Sequence, residues 1–207
     1  MVRPNREYRF APMFEIRAEQ EEGKESYIVE GYATTFNDEY LLFKDEKGNE
    51  YRETVLGTAI DENTDIKDVI FVKDHEGTVF ARTKNGSLEL TVDEHGLKAV
   101  ADLSRTSSAR QAYEEIKAGM YDQMSFAFVV DDEDYDSKTK VRTIKHIRKI
   151  YDTSFVGFPA NPNTDIATRS LIDGYIKIEE AERLQREQEV LLAKAKYNYI
   201  KEKNHGN

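Results

Sequence analysis

The chain has 207 residues, 39% hydrophobic and 34% charged, with a formal net charge of −10. That suits one domain with an appendage, and it excludes a general nucleic-acid binder or an anchor on anionic lipid, both of which need a basic face. There is no cysteine and there are only four histidines, His75, His95, His146 and His205, so disulfides, thiolate metal sites and a cysteine nucleophile are excluded and a multi-histidine zinc site is improbable. No cofactor and no metal are expected. No apolar run has the length of a membrane span, and residues 1–14 lack the apolar stretch of a signal peptide. The expectation is a soluble, intracellular protein.

Taken in order, residues 1–14 read as a loosely ordered start or an edge segment, and Phe14 to Ala18 alternates as a strand. Tyr27 to Phe36 is a stronger strand, rich in aromatic and β-branched residues, with Gly31 suggesting a bulge or a close backbone approach. Asn37 to Tyr51 reads as a loop with a possible hairpin at Lys47-Gly48-Asn49. Thr54 to Ile60 is ambiguous and could be a short helical turn. Asp68 to Lys73 is a buried strand ending at Asp74-His75-Glu76-Gly77, and Thr78 to Thr83 follows as another. Ser87 to Val92 and Leu97 to Leu103 form the clearest hairpin, both arms alternating with period two.

Ser108, with Gln111 three residues on, fits a capping box for a helix over Ala109 to Ala118. Gly119 fits the left-handed position that ends many helices. A strand then opens at Met124-Ser125 and runs through Phe126-Ala127-Phe128-Val129-Val130. Asp131 to Lys140 reads as an acidic connector, Val141 to Ile150 as a basic strand, and Thr153 to Phe158 as a further strand ending in a segment with two prolines. From about Asp165 glycine and proline nearly vanish, and Glu, Lys, Gln, Arg, Ala and Leu dominate. This is a helical tail with too little apolar surface to bury itself, so it is solvated or pairs with a partner helix. The organisation expected is an N-terminal segment 1–13, a β-rich domain 14–164 and a charged helical tail 165–207.

Three residues with chemical potential stand at strand ends: His75, Ser125 and Asp152. A serine hydroxyl is a poor nucleophile until an imidazole takes its proton, and the imidazole needs a third group to fix its tautomer and support the charge it gains. A histidine titrating near neutrality suits that transfer. The competing readings are ordinary: a packing serine, a polar turn histidine, a strand-end carboxylate. His146 rivals Asp152 as third member; on one regular strand the two would lie about 20 Å apart, so only one reaches His75 unless the chain bends. His95 reads as a turn residue. The acidic clusters at Asp45-Glu46, Asp93-Glu94 and Asp131 to Asp136 lack the EF-hand spacing and read as solvated loops.

Taken together, His75, Asn85-Gly86-Ser87-Leu88-Glu89-Leu90, His95-Gly96-Leu97, Ile116-Lys117-Ala118-Gly119-Met120, Gln123-Met124-Ser125-Phe126-Ala127-Phe128 and Tyr151-Asp152-Thr153-Ser154-Phe155-Val156-Gly157-Phe158-Pro159-Ala160 resemble, in that order, the prohead (capsid maturation) serine proteases of tailed phages, the HK97-like family. The resemblance spans roughly residues 27–169. It implies a mainly β fold with a few helices, a β-barrel similar to the herpesvirus maturation protease, followed here by the helical tail. It implies an enzyme in the cytoplasm of the bacterial host, enclosed in the immature capsid. Its substrates would be scaffold or the scaffolding segment of the major capsid protein, and commonly itself, with the tail available for self-association or scaffold contact and no nucleic-acid or membrane partner. Carried over by position, Ser125 is the nucleophile and His75 the general base. The family usually has Glu where Asp152 stands, and related viral enzymes use a second histidine as third member, which leaves His146 open. Arg169 and the backbone around Asn161 are candidate oxyanion donors. The alternative of a different class is a non-catalytic assembly protein with a protease-like domain.

Overall fold

The computed structural model describes residues 6–10, 17–18, 26–45, 47–157 and 166–205. It is mainly β, with 48% strand and two helices. Its contacts divide it into Met1–Ala167 and Thr168–Asn207.

Among the described residues the first unit holds eleven strands: β1 (Glu7–Phe10), β2 (Arg17–Ala18), β3 (Ile28–Thr35), β4 (Tyr40–Lys44), β5 (Glu50–Val55), β6 (Ile70–Lys73), β7 (Glu76–Arg82), β8 (Leu88–Val92), β9 (Gly96–Asp102), β10 (Gln123–Asp136) and β11 (Val141–Val156), with helix α1 (Ser107–Lys117) between β9 and β10. One sheet runs β1-β10-β11-β5-β4, with β6 and β7 joined to it through β11; a second runs β2-β3-β9-β8. No ring of strands closes among the described residues.

The hairpin expected after Asp93 is β8–β9, in register from Leu88↔Ala101 to Val92↔Leu97. The bulge anticipated at Gly31 falls at Ala33, where the β3–β9 register shifts between Tyr32 and Thr34. The stretch read as a loop over residues 37–51 contains β4 and the start of β5, which pair antiparallel. Asp45 organises the turn between them by accepting from the Lys47 and Asn49 main-chain N–H groups. The stretch Thr54 to Ile60, ambiguous in sequence with a short helical turn as one option, ends β5 at Thr54 and Val55 and continues without helix.

Strand β11 organises the larger sheet. One flank pairs with β10 along nearly its whole length. The other pairs parallel with β5 at Val141–Ile144 and parallel with β6 at Asp152–Phe155. The sequence reading divided this strand at Tyr151 and took residues 131–140 as a connector. Instead β10 runs on to Asp136 and β11 is unbroken. Acidic residues are poor strand formers alone, but here they face a basic strand: Glu133 bonds Arg142, and Asp134 pairs with Lys145. Such cross-strand charge pairs stabilise a sheet that composition alone does not favour. Successive register shifts between β10 and β11 mark bulges, which bend and twist the pair.

The core lies between the sheets and α1. Phe126 and Phe128 stack at 4.3 Å with no exposure and pack with Ile144, Ile147, Ile150 and Phe155; burial of each ring stabilises by about 1.5–3 kcal/mol. Helix α1 buries Ala109, Ala112, Tyr113 and Ile116, the i, i+3, i+4, i+7 stripe of an amphipathic helix. Its cap is Thr106, whose hydroxyl accepts from the Ala109 N–H at 3.1 Å, rather than Ser108. Three consecutive hydroxyls, Thr106, Ser107 and Ser108, made the choice degenerate in sequence. Gly119 takes φ +74°, and the N–H groups of Gly119 and Met120 bond Ile116 and Glu115 carbonyls. This Schellman closure turns the chain directly into β10.

The second unit is α2 (Ile166–His205), 40 residues long. Leu184, Val190, Leu191 and Leu192 are exposed on it, and Arg183–Glu187 and Glu182–Arg186 face each other one turn apart. No helix among the described residues is long and apolar enough to cross a membrane.

Candidate active site

Three neighbouring strands bring the site together. Ser125 on β10 is directly opposite Ser154 on β11, so their side chains share a face. Asp152, two residues before Ser154, lies on that face as well. On the far flank of β11, β6 pairs Val72 with Ser154 and Lys73 with Phe155, and the chain then turns back over β11 through Asp74 and His75.

That turn has two residues, since Lys73 pairs with Glu76 across it. Both central residues have positive φ, Asp74 at 49° and His75 at 61°. This is the signature of the primed hairpin turns that match strand twist, and it favours Asn, Asp and Gly. Among other residues histidine is one of those that tolerate the left-handed region best. The sequence reading weighed His75 as a turn residue against His75 as a base; it is in the turn, and the turn delivers its ring to the site. The Asp74 N–H bonds the Phe155 carbonyl at 3.1 Å and the His75 N–H bonds Ser154 Oγ at 3.2 Å, fixing the turn to β11.

The imidazole bridges the other two residues. Its Nδ1 is 2.5 Å from Asp152 Oδ1 and its Nε2 is 2.6 Å from Ser125 Oγ. Ser125, Asp152 and Ser154 are buried, and the His75 side chain is 9% exposed, so water competes little for these bonds. With Nδ1–H donated to the carboxylate, Nε2 presents a lone pair to the serine. Ser154, which the sequence reading passed over, donates to Asp152 Oδ1 at 3.0 Å and has its oxygen 3.1 Å from His75 Nδ1. Its signal was the spacing Asp152-Thr153-Ser154, which puts both side chains on one strand face.

His146 lies elsewhere. Its Nδ1 contacts Asp131 at 2.5 Å and its Nε2 contacts Asp61 at 3.3 Å. The hydrogen bond with Asp131, reinforced by the charges of Asp131 and Asp61, raises its pKa above the usual histidine value. His95 is in the β8–β9 turn, its ring 4.5 Å from that of Tyr32. Asn161 lies outside the described residues, as does the Arg169 side chain.

A second feature flanks the serine. Strand β1 pairs with the free edge of β10, with Phe10 opposite Ser125 and Tyr8 opposite Ala127. Ser125 Oγ is also 2.6 Å from the Arg9 carbonyl oxygen. The Tyr8 ring meets the His75 ring edge-on at 4.6 Å. The Glu7 and Arg9 side chains enter a buried cluster with Glu53, Glu133, Arg142 and Tyr40. Burial alone would raise the Glu53 pKa; the guanidiniums of Arg9 and Arg142 outweigh it and bring it down to about 2.

The model of a family described as caudovirus prohead serine protease matches residues 13–178, a span that includes Ser125, His75 and Asp152. No curated protein and no solved structure matches the chain. With four-fifths of its length matched, the chain belongs to the caudovirus prohead serine protease family.

Proposed function

We propose that this chain is a capsid-maturation endopeptidase in which Ser125 is the nucleophile, His75 the general base and Asp152 the third member. The observation that carries the reading is the continuous run Ser125 Oγ–His75 Nε2 at 2.6 Å and His75 Nδ1–Asp152 Oδ1 at 2.5 Å. In this reading Oγ attacks the scissile carbonyl carbon while Nε2 takes the hydroxyl proton. The carbonyl π electrons move to oxygen, and Asp152 stabilises the imidazolium that forms. Collapse of the tetrahedral intermediate expels the amine, which takes the proton from Nε2, and leaves Ser125 acylated. Water, deprotonated by the same nitrogen, then hydrolyses the ester. The contacts of His146 with Asp131 and Asp61 favour Asp152 over it as third member.

The substrates proposed are scaffold, or the scaffolding segment of the major capsid protein, and the enzyme itself, cut inside the immature capsid in the host cytoplasm. The exposed Leu184, Val190, Leu191 and Leu192 of α2 suit contact with scaffold or a second copy. Co-expression with the neighbouring capsid protein tests the reading: the capsid protein is shortened by the wild-type chain and keeps its full length with Ser125→Ala. Full length with both would overturn it and favour a non-catalytic assembly role.

A further inference from the structure

Strand β1 makes two contacts with the proposed machinery that a neutral edge strand does not need. The Ser125 hydroxyl has one proton, yet its oxygen is 2.6 Å from both the Arg9 carbonyl and His75 Nε2. If the proton goes to the carbonyl, Nε2 must donate to Oγ, and the lone pair that would act as base is used up. The Tyr8 ring covers His75 on the same face, and Ser125 has no exposure. With β1 in place a substrate cannot reach Oγ. The hydroxyl bonds the Arg9 carbonyl oxygen and not its carbon, so β1 blocks the site without being attacked.

The edge of β10 that β1 covers is a row of main-chain donors and acceptors, the kind of surface that takes an extended peptide by strand addition. Beside it is a pocket with a charge pattern. Without β1, its members are Arg142, with no exposure; Glu53, with no exposure; Glu133; and the Tyr40 hydroxyl, which donates to Glu53 Oε1 at 2.5 Å. These present both carboxylates and a guanidinium, so the cluster offers a partner to an incoming cation and to an incoming anion. Arg9 supplies that cation through a fork onto Glu53, Nε to Oε1 at 2.5 Å and Nη2 to Oε2 at 2.9 Å. Glu7 makes the reciprocal fork with Arg142, at 2.5 and 2.9 Å. Paired forks of this kind fix geometry as well as charge, and residues two apart on a strand present both side chains to one face.

We propose that β1 is an internal pseudosubstrate: it fills a groove along β10 that binds extended peptides antiparallel, and the Glu53–Arg142 pocket selects an acidic residue followed two positions later by a basic one, as in Glu7-Tyr8-Arg9. This rests on the reading of Ser125 as nucleophile. Exchange of β1 for a substrate strand of like pattern opens the enzyme.

The chain has no cysteine, so one engineered disulfide is unambiguous. Tyr8 and Ala127 are direct partners across β1 and β10, the arrangement in which cross-strand Cα atoms come within disulfide range. In the full chain carrying Tyr8→Cys and Ala127→Cys, phosphonylation of Ser125 by a fluorophosphonate is expected to be at least about tenfold slower oxidised than after reduction. This comparison is made within one folded variant. The synthetic peptide of residues 5–11 should then slow labelling of the reduced form, and the same peptide with Glu7 and Arg9 exchanged should not. Equal rates in the two redox states would overturn the blocking role, and equal inhibition by the two peptides, or none by either, would overturn the selectivity. Ser125 unlabelled in the wild-type chain and in both redox states would remove the nucleophile reading along with this one.

Discussion

Ser154 and His75 are joined main chain to side chain: the His75 N–H donates to Ser154 Oγ at 3.2 Å, and that hydroxyl donates in turn to Asp152 Oδ1 at 3.0 Å. One small side chain therefore holds both the turn that carries the imidazole and the carboxylate that orients it. Ser154→Ala leaves the three principal side chains intact but releases their support. We expect kcat for peptide cleavage to fall by about 10- to 100-fold with KM little changed, the scale of a small misplacement of a reacting group. The melting transition should shift by only about 1 kcal/mol, the loss of one net hydrogen bond. An unchanged kcat would make Ser154 a packing residue.

Asp152 and His146 were rivals in the sequence, and substitution separates them. Asp152→Asn should lower kcat by on the order of 10³–10⁴, since an amide imposes the wrong tautomer on the imidazole. His146→Gln should leave cleavage unchanged. The His146 pKa is raised in the fold, so its pairing with Asp131 stabilises the protein fully below the ordinary histidine pKa, and that stability is lost as pH rises through the raised value. Wild-type stability should therefore decline relative to His146→Gln as pH rises above the ordinary histidine pKa, measured by urea unfolding at each pH.

The turn at Asp74-His75 isolates a backbone requirement. Asp74 is exposed and has φ 49°. Asp74→Gly should retain activity and stability, because glycine enters the left-handed region without cost. Asp74→Val should destabilise by about 1–3 kcal/mol and lower the cleavage rate, because a β-branched residue is strained there. Chemical denaturation of both variants, read beside a peptidase assay, checks this pair.

The buried cluster around Glu53 predicts an acid limb. The Glu53 pKa falls from 4.5 to about 2 on folding. Its contribution is present in full above the unfolded value and is lost as pH falls through the folded one, so it disappears between about pH 4.5 and pH 2 and amounts to about 3 kcal/mol. In Glu53→Gln that dependence should flatten, and the neutral-pH stability should fall by about 3–5 kcal/mol, because Arg9 and Arg142 keep buried charge without their shared partner. Thermal unfolding across the acid range measures both effects.

The parts of the site legible in sequence were those with local grammar. Gly119 announced the end of α1, an apolar run announced β10, and His75 stood at a strand end, whereas Asp152, read as preceding a strand, lies inside β11. Their meeting was not legible, because it depends on β11 pairing with β10 on one flank and β6 on the other. The continuity of β11 was hidden for a similar reason: Asp131 to Asp136 is a strand only because Arg142 and Lys145 face it. Strand β1 was legible only as one of two options, a loosely ordered start or an edge segment. Glu7-Tyr8-Arg9-Phe10 reads as a mixed polar segment until Glu53 and Arg142, far along the chain, supply the partners its charges need.

The most direct test of the account is to find the reactive serine. The wild-type chain is exposed to a fluorophosphonate for long enough to label through openings of β1, then digested and mapped by mass spectrometry. The account predicts one adduct, on Ser125, absent from His75→Ala and blocked in Ser125→Ala. An adduct on Ser154 or any other serine in a preparation that cleaves the capsid protein would contradict it.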